Sequence, residues 1–184
     1  MAPGMQSYVH SPGQRPLVGL TVGQVLDDAA RRWPDGEALV LPHQRVRWSW
    51  SELQRRARAC GAALLGLGLG AGDRLGILAP NVAEWVVTQF GAAYAGLILV
   101  NINPAYRAPE LEYALQKTGC RALITVARFK SSDYGALLQS FLPELAHCAP
   151  GDLRSARLPQ LRCLIRIGRS EEHTSELQSH HDLV

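Results

Sequence analysis

Residues Gly72 to Thr125 read GDRLGILAPNVAEWVVTQFGAAYAGLILVNINPAYRAPELEYALQKTGCRALIT, and this stretch decides the fold. Three apolar runs, Leu75–Ala79, Leu97–Val100 and Ala122–Thr125, are too short for helices. They alternate with segments of helical period at Val82–Tyr94 and Pro109–Lys117. Strand, helix, strand, helix, strand in that order predicts a parallel sheet with crossover helices. The runs are continuous rather than alternating, as strands covered on both faces require. The expected class is α/β.

Working outward, the chain of 184 residues has room for one domain and a tail, and a net charge of only +3. A chain of this length buries roughly 70% of its unfolded surface without covalent staples. Its basic residues are scattered. Arg45, Arg47, Arg55, Arg56 and Arg58 come nearest to a patch, but their spacing suits the solvated side of a helix, and nucleic-acid binding is not expected. Cys60, Cys120, Cys148 and Cys163 show neither CxxC spacing nor a disulfide framework, so buried reduced thiols are expected. The opening MAPGMQSYVHSPGQRP has no charged and apolar succession of a secretory signal and no Arg-rich amphipathic leader pattern. No run is long enough for a transmembrane segment. On these grounds the expected location is cytoplasmic.

Residues 1–20 read as an irregular lead-in rich in Pro and Gly. Thr21-Val-Gly-Gln24 is a capping box, and Val22, Val25, Leu26, Ala29 and Trp33 mark the expected inner face of a helix closed by Pro34. Glu37–Leu41 and Val46–Trp50 flank Pro42-His-Gln-Arg45 as a small antiparallel hairpin. Ser49-Trp-Ser-Glu52 is a second capping box, followed by a stripe at Leu53, Ala57, Cys60 and Leu64. Asn81-Val-Ala-Glu84 reads as the cap of the next helix, with Trp85, Val86, Gln89, Phe90 and Ala93 on its apolar face and Gly96 as its stop. Pro109, after Arg107-Ala108, opens another. Beyond Thr125 a short helix is expected over Tyr134–Leu142, a polar connection over Pro143–Leu158 and a strand over Leu161–Ile167.

Gly66-x-Gly68-x-x-Ala71 has the letters of a dinucleotide-binding fingerprint, which works only after a strand and ahead of a helix. Here the order is reversed, and Glu84, the nearest candidate for a ribose-binding acid, is assigned to a helix cap. His10, His43 and His147 stand alone in loops or at a helix end. Asp27 and Asp28 are neighbours on one helix, point apart and are expected near its outer face. No nucleophile elbow, phosphate loop or metal-ligand spacing occurs, so no residue is assigned a catalytic, cofactor-binding or metal role. The loops Ala79–Asn81, Asn101–Arg107 and Val126–Lys130 would leave the carboxyl edge of the sheet, where ligands of open α/β sheets sit, although Asn101, Asn103 and Tyr106 also suit a plain turn.

Four stretches carry a resemblance. TVGQVLDDAARRWPDGEALV, VRWSWSELQRRARACGAALLGLGLGAGDRLGILAPNVAEWV, LILVNINPAYRAPELEYAL and TGCRALIT closely resemble the opening of AMP-forming acyl-CoA synthetases, nearest to the medium-chain fatty-acid CoA ligases. SYVHSPGQRPLVGLTVGQ and LPQLRCLIRIG are similar to that subgroup too, so the likeness runs from about Ser7 to Gly168. It implies the front part of a large α/β domain and ATP- and magnesium-dependent activation of a fatty acid through an acyl-adenylate to acyl-CoA. The family's Ser/Thr/Gly-rich phosphate loop, adenine segment, ribose-binding Asp and small-domain Lys have no counterpart here, so no cofactor is expected to bind this fragment. The expectation is an inactive, self-associating piece of a ligase. The alternatives are a stand-alone α/β nucleotide-binding or regulatory module, or a truncated paralogue that pairs with a full-length ligase.

From Arg169 the text becomes RSEEHTSELQSHHDLV and leaves the family pattern. Glu171, Glu172, His173, His180, His181 and Asp182 invite a metal site, but their spacing suits no single helix face. RSEEHTSELQS resembles the conceptual translation of a sequencing adapter. The domain reading is therefore 1–20 lead-in, 21–168 partial AMP-binding domain and 169–184 non-native tail.

Overall fold

The computed structural model describes residue 13 and residues 17–168. The tail assignment, its candidate metal ligands and His10 lie outside the described residues.

The decisive stretch folds as read. Strands β3 (Arg74–Leu78), β4 (Ile98–Asn101), β5 (Ala122–Val126) and β8 (Cys163–Ile167) form one parallel sheet in the order β4-β3-β5-β8. Helix α3 (Ala83–Tyr94) connects β3 to β4, and α4 (Ala108–Thr118) carries the chain back over β3 to β5. The central strands are the most apolar because both faces are covered. Leu75 and Ile77 point into one hydrophobic cluster with Ala122, Ile124, Cys163 and Ile165, while Leu78, Leu123 and Leu164 point into the other. Leu75, Leu78, Leu123 and Ile124 are all fully buried, each contributing about 1.5–3 kcal/mol of apolar burial.

The first layer is helical. Helix α1 (Val22–Arg32) starts at a complete Thr21–Gln24 capping box, and α2 (Trp50–Gly66) starts at Ser49, whose hydroxyl accepts from the Glu52 amide at 3.3 Å. Both caps sit where the sequence placed them, but the second is not a full capping box, because the Glu52 carboxylate is taken by Arg55 and Arg56. Between these helices lies the expected hairpin, β1 (Glu37–Leu41) and β2 (Val46–Ser49), turned by a short 3-10 segment over Pro42–Gln44. Helices α2 and α3 approach unusually closely at two glycines. A methyl group on Gly61 would meet the Gly91 carbonyl oxygen at 2.9 Å, and one on Gly91 would meet Cys60 Sγ at 2.8 Å.

The second layer, on the opposite face, is α4 with α5 (Tyr134–Gln139) and the segment that follows.

Four expectations need correction. On α1 the buried side is Gly23, Leu26, Ala29 and Ala30, whereas Val22, Val25 and Trp33 are 49%, 46% and 57% exposed. On α3 the buried residues are Ala83, Thr88, Gly91 and Ala92. This helix is covered by the sheet on one side and by α1 and α2 on the other, so it has no single apolar stripe. Pro143–Leu158 is more than a polar connection: it buries Leu145, Leu153, Ser155 and Leu158, and the Leu153 amide donates to the Arg162 carbonyl at 3.0 Å. Finally, Val126–Lys130 is not all loop. A tight hairpin of β6 (Arg128–Phe129) and β7 (Ser132–Asp133) intervenes, with Lys130 in the left-handed region at φ 54°.

Candidate functional site

The carboxyl ends of β3 and β5 lie side by side, and the chain leaves them in opposite directions, to β4 on one side and to β8 on the other. This is the switch point at which open α/β sheets bind ligands. The three expected loops do converge on this edge. Thr125 is buried at 7% exposure and bonds across the seam, its hydroxyl donating to the Leu78 carbonyl at 3.1 Å. Tyr134, fully buried at its ring, donates from its hydroxyl to the Pro104 carbonyl at 2.7 Å and so pins the loop after β4 against α5. Burial raises the Tyr134 phenol above its ordinary pKa, which keeps it a donor. Sequence reasoning singled out neither residue. A lone Thr in an apolar strand and a Tyr opening a short helix carry no pattern.

Asn103 shapes a turn: its Oδ1 accepts from the Ala105 amide at 2.9 Å, and its carbonyl accepts from the Tyr106 amide at 3.1 Å. Asn101 and Tyr106 are exposed at the edge. The entrance to α3 differs from expectation. Asn81 is not the cap, because a turn from Pro80 brings Val82 into that position without a capping side chain. Instead Gln44, from the turn between β1 and β2, accepts from the Ala83 amide at 2.7 Å and donates to Glu84 at 3.1 Å. Glu84 is thus held by Gln44 rather than closing a capping box, and it stands apart from the glycines. Those glycines form a helix-to-strand turn. Gly68 and Gly72 have φ of 81° and 86°, and Asp73 accepts from the Gly70 amide at 2.8 Å.

The carboxylate pair also separates. Asp28, partly buried, pairs with Arg31 and with Arg32 on its own helix, the latter at 2.7 Å. Asp27, expected near the outer face, is the hub of the helical layer. It accepts from Gln54 at 2.8 Å, from Arg58 at 2.9 Å and from the Tyr94 hydroxyl. Burial opposes its charge, but those three donors outweigh burial and hold the carboxyl below its ordinary range. Burial and the Asp27 bond push the Tyr94 phenol up to about 12. Four of the five arginines nearest to a patch are spent internally: Arg55 and Arg56 on Glu52, Arg47 on Glu37, and Arg58 on Asp27. Arg56 also stacks over Trp48 at 4.4 Å. His43 and His147 are exposed. Cys60, Cys120 and Cys163 are buried thiols, and burial raises Cys60 to about 11.

Taken together, the described residues of the carboxyl edge offer amide, hydroxyl and backbone groups that orient loops. Among the described residues no three His, Cys, Asp or Glu side chains gather as a metal-ligand set.

The architecture and its sequence define a class. Residues 26–179 match the model of the family described as AMP-binding enzyme, and the chain belongs to that family. The mouse medium-chain acyl-CoA ligase ACSF2, mitochondrial, is 42% identical over 164 residues, which are 89% of this chain and 27% of that protein. Its human counterpart is 43% identical over the same shares. Among solved structures, the acetoacetyl-CoA synthetase from Streptomyces lividans superposes with a TM-score of 0.71 at 26% identity, covering 89% of this chain and 24% of that one. The anthranilate CoA ligase AuaEII, in complex with anthranoyl-AMP, gives 0.68 at 26% identity over 86% and 26%. The chain therefore spans about a quarter of the length of the proteins it resembles.

One expectation is overturned by these relatives. The cytoplasmic location rested on thiol content and on the opening residues, whereas the mouse and human relatives are named as mitochondrial. Reduced thiols suit any reducing compartment, so they never distinguished the two.

Proposed function

We propose that this chain is the opening scaffold of an ATP-dependent acyl-CoA ligase acting on fatty acids, and that it is inert by itself. Residues 1–20 are a lead-in, 21–168 a partial AMP-binding domain, and 169–184 a non-native extension. In the whole enzyme a free carboxylate, which has no usable leaving group, is joined to AMP at the expense of ATP with magnesium. The CoA thiol then displaces AMP. Cationic groups and backbone amides stabilise the charge on the transferring phosphate. By the same likeness the whole enzyme works in mitochondria.

The observation that carries this reading is the 42% identity spread over 89% of the chain. The contribution of these residues is positional: Thr125, Tyr134 and Gln44 lock the loops and helix start at the carboxyl edge of the sheet. Incubating the chain with ATP, magnesium, a medium-chain fatty acid and CoA is expected to yield no acyl-adenylate. Adenylate formed by this polypeptide alone would overturn the proposal, and saturable ATP binding would favour an independent nucleotide-binding module. Genomic sequence read past Gly168 is expected to continue into a phosphate loop. A stop codon directly after Val184 in authentic sequence would end the idea that the tail is foreign.

A further inference from the structure

At the opposite edge of the sheet, arginine stands at the start of three neighbouring strands. Leu75, Ala122 and Cys163 are register partners on β3, β5 and β8. One residue earlier come Arg74, Arg121 and Arg162. The ladder continues through them: the Arg121 amide donates to the Arg74 carbonyl at 2.8 Å, and the Arg162 amide to the Arg121 carbonyl at 2.8 Å. Strands stand about 4.8 Å apart, so the three side chains are rooted within roughly 10 Å of one another. Like charges aligned in this way oppose each other unless an anion lies among them.

The chain supplies only part of that anion. Asp73 takes Arg121 at 3.2 Å while being tied to the Gly70 amide, and Asp152 takes Arg154 at 3.0 Å. Arg74 and Arg162 are exposed and, among the described residues, have no carboxylate within ion-pair distance. Against this row opens a cleft of about 520 Å³, lined by Leu67, Leu69, Arg121, Asp152, Arg154 and Arg162. That volume is in the range of small-molecule sites. One wall is charged and the other is apolar.

We propose that this amino-edge cleft binds the phosphate or diphosphate group of a small molecule. Guanidinium groups present planar forks that match phosphate oxygens two at a time. Arg162 and Arg121 would clasp the phosphate from adjacent strands, with Arg154 closing from the far rim and Arg74 adding field from the next strand. Leu67 and Leu69 would face the organic part. Asp152 offsets the charge of Arg154 and Asp73 that of Arg121, so the charge left for the anion is that of Arg74 and Arg162, while Arg121 and Arg154 add donors. The cleft lies at the end of the strands away from the carboxyl-edge loops, so it stands or falls independently of the ligase reading.

Titration calorimetry on the 184-residue chain, with inorganic phosphate, pyrophosphate and ADP as probes, tests this. Saturable 1:1 binding of pyrophosphate, weakening as salt screens the charges, is the expected result. Tighter binding of ADP identifies a nucleotide as the source, and equal binding identifies the inorganic ion. Arg162→Ala should weaken binding about tenfold or more, the equivalent of one charge-assisted hydrogen bond. Arg162→Lys should restore part of it, and Arg55→Ala, paired with Glu52 on α2, should change nothing. Thermal melts provide a second readout. Pyrophosphate should raise the midpoint of the wild type but not of an Arg74→Ala, Arg162→Ala double variant, whose midpoint without ligand should equal or exceed that of the wild type. Absence of binding at millimolar pyrophosphate, binding unchanged by Arg162→Ala, or binding of DNA without any small phosphate would overturn the proposal.

Discussion

Asp27 shows how much one carboxylate can organise. Lying on α1, it receives donors from Gln54 and Arg58 on α2 and from Tyr94 on α3, so a single side chain ties the helical layer together. Its carboxyl is held below the ordinary value of 3.8, so the folded state retains the charged form where the unfolded chain takes up a proton. The stability it supplies is therefore complete above the unfolded pKa and is lost as pH falls through the lower folded value. Asp27→Asn should lower stability at neutral pH by about 1 kcal/mol, because the site is partly exposed, and should flatten the acid limb of a pH series of thermal melts. An unchanged acid limb would remove Asp27 from this role. Tyr94 behaves in the opposite sense. Its phenol is raised to about 12, so its stabilisation persists below the unfolded value of 10.0 and is lost as pH rises toward 12. Tyr94→Phe should flatten the alkaline limb of the same series. The buried thiols give a chemical counterpart: Cys148, half-buried, should react with a thiol reagent well before Cys60, whose thiol is raised to about 11.

Between elements, the contacts that matter are made by residues with little sequence signal of their own. Capping boxes, continuous apolar strands and the glycine stops are local patterns, and Thr21, Ser49, Gly96 and Gly119 stand where local reading puts them or end helices as αL glycines do. The α2–α3 crossing is different, because glycines and alanines bring the backbones together and add nothing to an apolar stripe. Hence the face read from Trp85, Val86 and Phe90 is only partly buried while α3 buries Ala83, Thr88, Gly91 and Ala92, and the stripe read on α1 is rotated toward Val22 and Val25. The cap of α3 was illegible for another reason: its donor-acceptor, Gln44, lies 39 residues away. Likewise Thr125 and Tyr134 at the carboxyl edge acquire meaning only when the sheet brings Leu78 and Pro104 beside them. These contacts can be measured. Gly61→Ala places a methyl group 2.9 Å from the Gly91 carbonyl, a backbone atom that cannot step aside cheaply. The overpacking cost of about 1–3 kcal/mol should exceed the helix-propensity gain of about 1 kcal/mol. Gly66→Ala, with nothing within 4 Å, should show that gain without the clash. Gln44→Ala should cost about 0.5–2 kcal/mol, the usual loss for an uncapped helix start. Denaturant melts of the three variants would rank them Gly66→Ala above wild type, and both Gln44→Ala and Gly61→Ala below.

For the molecule as a whole, the open question is what covers its surface. Among the described residues the parallel sheet has edges at β4 and β8 that no further strand pairs with, and such an edge offers unpaired backbone donors and acceptors to any strand that can align with it. Leu17 and Val18 are 99% and 72% exposed, and Val22 and Val25 continue this apolar strip along α1 at helical spacing. Strips of this kind rarely stay bare on a monomer. In relatives about three times as long there is ample chain to cover such surfaces, since the matched part of the present chain spans 27% of the mouse ligase. Without that chain, a second copy is the nearest source of apolar surface. The expected outcome is self-association that grows with concentration in sedimentation velocity, with the apolar strip as one contact and the strand edges as another. Val22→Glu with Val25→Glu should remove the first contact while leaving the fold intact, because both side chains already face solvent. A partial fall in apparent mass for this variant would assign the remainder to the strand edges. A wild-type chain that sediments as a sharp monomer across the concentration range, and melts cooperatively, would mean that these surfaces are tolerated bare, and the scaffold would then be a self-sufficient domain.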